Sequence, residues 1–243
     1  MPKELQRIDD THSIYQFSEG FSFGTDAVLL AGFIRCKKGQ TGVEFGTGTG
    51  IIPLLLSLHK EFDHIFALEI QKEYAALAQE NLQRNGCAEK VTVIEGDLRD
   101  QNPLPEKIDF VFTNPPYMKA DCGYLNENEK KRIARHELFG NIEEICLAAA
   151  RLLQDKGEFW CVYRTERLCD LFCAMRAVGL EPKNLVPVAP KAGKATALVL
   201  VRGVKGAKSG LKVREAFVLQ NDAGEKSPES RLLYEKGQID YEI

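Results

Sequence analysis

The residues with the most specific chemistry are Asn114-Pro115-Pro116-Tyr117, directly after the apolar run Ile108–Thr113. An exocyclic amine on a heteroaromatic ring is a poor nucleophile, because its nitrogen lone pair is delocalised into the ring. Acceptors aimed at the NH2 group draw that pair back onto nitrogen, and acceptors fixed before the substrate arrives do so without reorganisation. The amide oxygen of Asn114 and the carbonyl of Pro115 suit that task, with the paired prolines Pro115 and Pro116 stiffening the backbone that carries them. Tyr117 adds a flat ring on which a planar substrate can stack. The plainer alternative is a Pro-Pro turn after a strand. The motif's position at the carboxyl end of a strand, where α/β sheets bind ligands, favours the catalytic reading.

A second constellation lies upstream, in Val43-Glu-Phe-Gly-Thr-Gly-Thr-Gly-Ile-Ile52, with glycines at 46, 48 and 50. Without side chains, the backbone between strand end and helix start can approach a ligand closely, and the helix start offers free N–H groups. A dinucleotide fingerprint GxGxxG would need its third glycine at Ile51, so the spacing is a different one. Nineteen residues after Gly50, the strand His64–Glu69 ends in Glu69. A carboxylate there can accept both hydroxyls of a ribose, or it can cap the helix that follows. Asp97 and Leu98 close the segment Glu95-Gly-Asp-Leu98 at the end of a third strand.

These residues need a scaffold that brings several strand ends together. From residue 41 onward, short β-rich runs alternate with helical patterns, the signature of βαβ units. The strands are expected at Gly42–Phe45, His64–Glu69, Val91–Glu95, Ile108–Thr113, Glu158–Tyr163, Leu185–Ala189 and Thr196–Arg202. Gln71–Asn85 reads as a helix with Tyr74, Leu77, Ala78 and Leu82 on one face, stopping at Gly86. Asn141-x-x-Glu144 reads as a capping-box variant that opens another, with Ile142, Ile145, Ala149 and Leu152 inward. A third is expected from Glu166 to Val178. The loop Pro190–Lys194 is too short for a crossover helix, so the last two strands should form an antiparallel hairpin at the sheet edge. The expected fold class is α/β, a Rossmann-like seven-stranded mostly parallel sheet with helices on both faces and a C-terminal antiparallel hairpin. Residues 1–40 read as a cap segment with one helix around Thr25–Ile34, 41–220 as the single core domain and 221–243 as a tail. Within this, Asn221–Ser230 is the most polar and the expected mobile stretch.

At 243 residues and 44% hydrophobic, the chain can bury one sizeable core. The N-terminus mixes charges, and the longest apolar run, Ile51–Leu58, is broken by Pro53 and Ser57, so neither a signal peptide nor a membrane span is expected. Seven cysteines, an odd number without a CxxC pair, suit a reduced cytoplasmic protein. Cys169 and Cys173 share a helix face and are expected in the core. With four histidines scattered along the chain, no metal is expected. The net charge of −3 offers no global attraction to nucleic acid, but Lys183–Arg214 holds eight Lys/Arg and no acid. Within it, Lys191, Lys194, Lys205 and Lys208 are candidate phosphate contacts, followed by Lys130, Lys131, Arg132 and Arg135. An ordinary solvated edge is the alternative reading of that stretch.

The GxGxG spacing resembles the S-adenosylmethionine (AdoMet) binding loop of class I methyltransferases. That resemblance implies that Glu44 bonds the methionine amino group of AdoMet. It also implies that Asp97 accepts from the adenine amino group, with Leu98 in the same site. The chain as a whole resembles the bacterial N6-adenine methyltransferases that modify valine tRNA at the adenosine 3′ of the anticodon. Beyond the two widely shared motifs, the likeness includes Gln16, Phe21-Ser-Phe-Gly-Thr-Asp-Ala-Val-Leu-Leu30, Ala134-Arg-His-Glu137 and the Lys/Arg-rich C-terminal hairpin, and it covers roughly residues 10 to 220. It implies that Phe23 to Asp26 close over the methionine end of the cofactor, and that the substrate is a tRNA, methylated by a cytoplasmic enzyme expected to be a monomer. Four alternatives use the same tetrad or the same fold: DNA adenine, ribosomal RNA guanine N2, a protein glutamine, and a non-catalytic AdoMet- or RNA-binding protein. Only about 40 residues precede the first core strand, and no large insertion interrupts the sheet. This argues against the added substrate domains usual in the DNA and glutamine enzymes.

Overall fold

A computed structural model of the chain describes residues 2–19, 23–100, 104, 107–116 and 140–240. Strands form where β-branched and aromatic residues run together: β3 (Thr41–Phe45), β4 (His64–Glu69), β5 (Val91–Glu95), β6 (Ile108–Thr113), β7 (Leu153–Arg164), β8 (Leu180–Lys191) and β9 (Leu198–Lys205). They lie in the order β5-β4-β3-β6-β7-β9-β8, parallel except for β9, which is antiparallel to both neighbours. The chain first steps outward from β3 to β5, then returns across β3 to β6. Strand order therefore reverses between β3 and β6, and an open α/β sheet presents its ligand crevice at the carboxyl ends of such a pair.

Period-two alternation gives the sheet two apolar faces. Phe110, Phe112, Trp160 and Val162 point toward helices α1 (Thr25–Phe33) and α2 (Ile51–His59), where Phe33 meets Trp160 edge-on with ring centroids 5.1 Å apart. Val111, Phe159, Cys161 and Tyr163 point the other way, under α4 (Ile142–Leu152) and α5 (Leu168–Ala177). The helix α3 (Lys72–Arg84) buries Tyr74, Leu77, Ala78 and Leu82 and stops before Gly86, whose φ is +70°. At the start of α4, the Asn141 side chain accepts from the Glu144 N–H and the Glu144 carboxylate from the Asn141 N–H, both at 2.8 Å. This is the reciprocal box expected from the sequence.

Several expectations need correction. The β8–β9 hairpin is not the sheet edge, because two short parallel strands, β10 (Lys212–Val213) and β11 (Phe217–Gln220), pair with the outer side of β8 and give the sheet nine strands among the described residues. β8 also reaches well beyond Leu185–Ala189. It contains Pro182, Pro187 and Pro190, because proline is tolerated where a strand position does not donate to a ladder. Cys169 and Cys173 are exposed, because α5 turns Leu171, Ala174 and Met175 inward instead. Before β3, the chain forms a hairpin, β1 (Lys3–Arg7) with β2 (Ser13–Phe17), ahead of α1. The polar stretch 221–230 is structured: Ser227 caps α6 (Pro228–Lys236) by accepting from the Ser230 N–H at 2.9 Å, and both serines are buried.

Close packing is tightest where β3 crosses a buried ring. A Cβ on Gly42 would come within 2.4 Å of the Phe110 ring, itself 1% exposed. Gly42→Ala should therefore lower stability in urea titrations by about 1–3 kcal/mol, the usual cost of overpacking. A midpoint equal to wild type would show that the ring has room to yield.

Candidate active site

The glycine turn is built by hydrogen bonds to the neighbouring strand. The N–H groups of Gly46 and Thr47 both donate to the Leu68 carbonyl, at 2.8 and 3.0 Å, and that of Gly48 donates to Glu69 Oε2 at 2.9 Å. To make these bonds the backbone passes through φ values of +72° at Gly46, +56° at Gly48 and +79° at Gly50, which side chains resist. Gly50 also lies against α3: a Cβ there would sit 3.3 Å from the Ala78 Cβ. Register then sets the site's width. Phe45 pairs with Leu68 on one side and with Thr113 on the other, so Gly46 and Asn114 are next to each other at the ends of adjacent strands. The buried Thr113 hydroxyl donates to the Phe45 carbonyl at 3.1 Å and ties the two ends together.

Two carboxylates lie under this turn. Glu44 is 1% exposed, and its Oε2 has no hydrogen-bond partner among the described residues. Burial pushes its pKa up to about 8, and the neighbouring Glu69 adds to the rise. The Thr47 hydroxyl works against the shift, yet its geometry falls short of a hydrogen bond. Glu69 is 3% exposed and also raised by burial, but backbone N–H groups restrain it. Its Oε1 accepts from the Gln71 N–H at 3.0 Å, which caps α3, while Oε2 holds Gly48. These bonds hold Glu69 between the glycine turn and the start of α3. Asp97 is half-buried and engaged by the Arg99 guanidinium, whose hydrogen bonds hold its pKa below the usual carboxylate range. Leu98 is buried in the core beside Leu68.

Phe23 and Asp26 are half-buried at the start of α1. The Phe23 N–H donates to Gln16 Oε1 at 2.9 Å, and the Asp26 carboxylate, in the first turn of α1, accepts from the Ala27 N–H. Pro115 is buried, and Asn114 and Pro116 are half-buried. Tyr117, the segment 118–129 and the residues 130–137, including Arg135 and His136, lie outside the described residues.

The basic candidates divide into two groups. β8 runs parallel to β6 and β7, so Lys191 and Lys194 sit at the carboxyl end of the sheet with Asn114. β9 runs back, so Lys205 pairs with Leu180, at the start of β8, and Lys205 and Lys208 lie at the opposite end from Lys191, roughly 35 Å along the strand at about 3.3 Å per residue. Lys205 also spends its ammonium on the Leu153 carbonyl at 2.6 Å. Lys194 and Lys208 are exposed, and Lys191 donates to the Asp222 carbonyl at 3.1 Å. The expected platform is therefore not one surface, because an antiparallel strand carries its two ends to opposite sides.

The sheet order and the glycine turn define a class I AdoMet-dependent methyltransferase. A predicted O-methyltransferase of Agrobacterium tumefaciens superposes with a TM-score of 0.73 at 17% identity, over 88% of this chain and 98% of that one. The chain belongs to the methyltransferase small domain family, whose model matches residues 17–176. It is 31% identical to the tRNA1(Val) (adenine(37)-N6)-methyltransferase of Tolumonas auensis, over 73% of this chain and 74% of the relative. It is 29% identical to the enzyme of the same name from Aeromonas hydrophila, over 75% and 76%.

Glu44 makes a pH-dependent prediction. Its folded pKa lies above the ordinary glutamate value, so between about 4.5 and 8 the folded state holds a proton that the unfolded state has lost. Stability from this group is full below that window and is lost as pH rises through it. Glu44→Gln removes the titration, so its stability relative to wild type should climb from pH 5 to 8 in parallel denaturation curves. A constant difference across that range would mean that Glu44 is ionised in the folded protein.

Proposed function

We infer that the chain transfers the methyl group of AdoMet to the N6 amine of an adenine in tRNA. The observation that supports this best is the adjacency of Gly46 and Asn114 across the β3–β6 pairing, which sets a cofactor turn beside a pair of amine acceptors. Glu44 fits the cofactor: a buried carboxylate oxygen without a partner is costly, and an ammonium group would satisfy it. Glu44 is the acceptor for the AdoMet amino group and Glu69 for its ribose hydroxyls. Asp97 is that for its adenine amine, with Leu98 beside it, and Phe23 to Asp26 close over the methionine end. The absence of side chains at Gly48 and Gly50 leaves room for the cofactor's backbone-like part.

Bound AdoMet supplies a methyl carbon activated by its sulfonium. The chain's own contribution is electronic and geometric. The Asn114 amide oxygen and the Pro115 carbonyl accept hydrogen bonds from the adenine NH2 and localise its lone pair for in-line attack. Pro116 holds that backbone, and Tyr117 stacks on the base. Relatives of this family modify tRNA, and a tRNA substrate implies a cytoplasmic site of action.

Incubation with labelled AdoMet and, separately, tRNA, DNA and release factor tests the substrate, and label in any acceptor other than tRNA would overturn it. Asn114→Ala should reduce kcat on the order of 100-fold or more and leave AdoMet affinity within a few fold. Near-normal turnover would remove Asn114 from the chemistry. For RNA binding, Lys191 and Lys194 share the catalytic end, whereas Lys205 and Lys208 do not. Replacing the first pair by alanine should weaken tRNA binding and flatten its salt dependence, by somewhat less than one unit of slope for each phosphate no longer neutralised. The second pair should change neither, and a filter-binding series at several salt concentrations separates the two outcomes.

A further inference from the structure

The side chain of Asn81 is fully buried in the interior of α3, an unusual place for a residue whose amide competes with helix hydrogen bonds. Its oxygen accepts from the Tyr15 N–H at 2.7 Å. Its nitrogen donates to the Tyr15 carbonyl at 3.0 Å and to the Thr49 carbonyl at 2.9 Å. One amide thus joins three elements: α3, the β2 strand of the N-terminal hairpin, and the glycine turn between Gly48 and Gly50. The next residue of the hairpin, Gln16, is 6% exposed and holds the Phe23 N–H. The strand β2 therefore links the glycine turn, through Asn81, to the segment that opens α1.

A second amide provides a natural comparison. Asn85, one turn further along α3, donates to the Ser13 carbonyl at 2.9 Å and accepts from the Ser13 N–H at 3.3 Å. It docks the same hairpin onto the same helix, but none of its hydrogen bonds goes to the glycine turn.

We propose that Asn81 is a positioning residue for cofactor binding, holding the Thr49 carbonyl so that the turn is set for AdoMet before the cofactor arrives. This rests on the AdoMet reading given above. The turn's backbone carries three residues of positive φ, so it has many alternative conformations when released, and an anchor that removes them raises affinity without touching the ligand. Asn81 does not reach the substrate amine, so its effect falls on cofactor binding and not on the methyl-transfer step.

The test compares Asn81→Ala with Asn85→Ala by titrating AdoMet calorimetrically and measuring Tm without ligand. Both variants lose hairpin bonds and should melt below wild type. Only Asn81→Ala should bind AdoMet on the order of 10-fold more weakly, with KM for tRNA unchanged and kcat within a few fold at saturating AdoMet. Gln16→Ala, which frees the other end of β2, gives a second arm: it should weaken AdoMet binding less than Asn81→Ala and leave the Thr49 bond intact. If Asn81→Ala binds AdoMet as wild type does, or if Asn85→Ala weakens binding equally, Asn81 only docks the hairpin and the proposal is wrong. Should Asn81→Ala be too unstable to titrate, Asn81→Asp keeps the acceptor for the Tyr15 N–H and loses the donors to the Tyr15 and Thr49 carbonyls. Unchanged affinity in that variant would equally overturn the proposal. No AdoMet binding by the wild-type chain would sink the cofactor assignment itself, and this inference with it.

Discussion

The site depends on the way residues 46–50 fold back onto the end of β4. Two N–H groups converge on the Leu68 carbonyl and a third on the Glu69 carboxylate, and the positive φ values at three glycines are what make those bonds reachable. A side chain at those positions would resist that conformation, and the turn would move away from the strand that supplies its acceptors. The same bonds fix where α2 begins, because Gly50 is its N-terminal cap, and where Glu69 points. The fold's other features follow from keeping this turn in place: Ala78 gives Gly50 room, and Thr113 ties the end of β6 to the end of β3.

Charge is arranged around that constraint. A carboxylate buried without partners is expensive, and the protein tolerates two buried carboxylates one strand apart by different means. Glu69 is stabilised by backbone donors, whereas Glu44 is left with an unsatisfied oxygen and a raised pKa. Glu69 therefore ties the glycine turn to the start of α3, while Glu44 keeps an oxygen without a partner among the described residues. Asp97 sits in a third regime, half-buried and neutralised by Arg99, so a ligand there competes with an existing ion pair.

The N-terminal hairpin belongs to this site more than its sequence position suggests. Its exposed strand β1 contributes little to the core, but β2 carries Tyr15 and Gln16, which reach the glycine turn through Asn81 and the α1 entrance directly. Glycine turn, hairpin and α1 are thus linked by amide side chains, whose two-sided hydrogen bonding lets one buried residue connect strands that share no ladder.

Local chemistry made much of this protein legible from sequence. Glycine spacing, the Asn-Pro-Pro-Tyr tetrad, the capping box at Asn141 and the strand at His64–Glu69 are signals carried within a few residues, and the strand ends that carry the glycines and Asn114 are neighbours in the sheet. Asn81 left a weaker trace, a polar residue at helical spacing from Leu77 and Ala78 on an otherwise apolar face, whose partners are 32 and 66 residues away in sequence. Only the tertiary structure decided which oxygen of which carboxylate goes unpaired, that Cys169 and Cys173 face solvent, and that the lysines of β8 and β9 lie at opposite ends of the sheet. Each of these depends on strand direction, helix rotation or long-range pairing. Such properties arise from how elements are assembled against one another, and no stretch of sequence read by itself contains them.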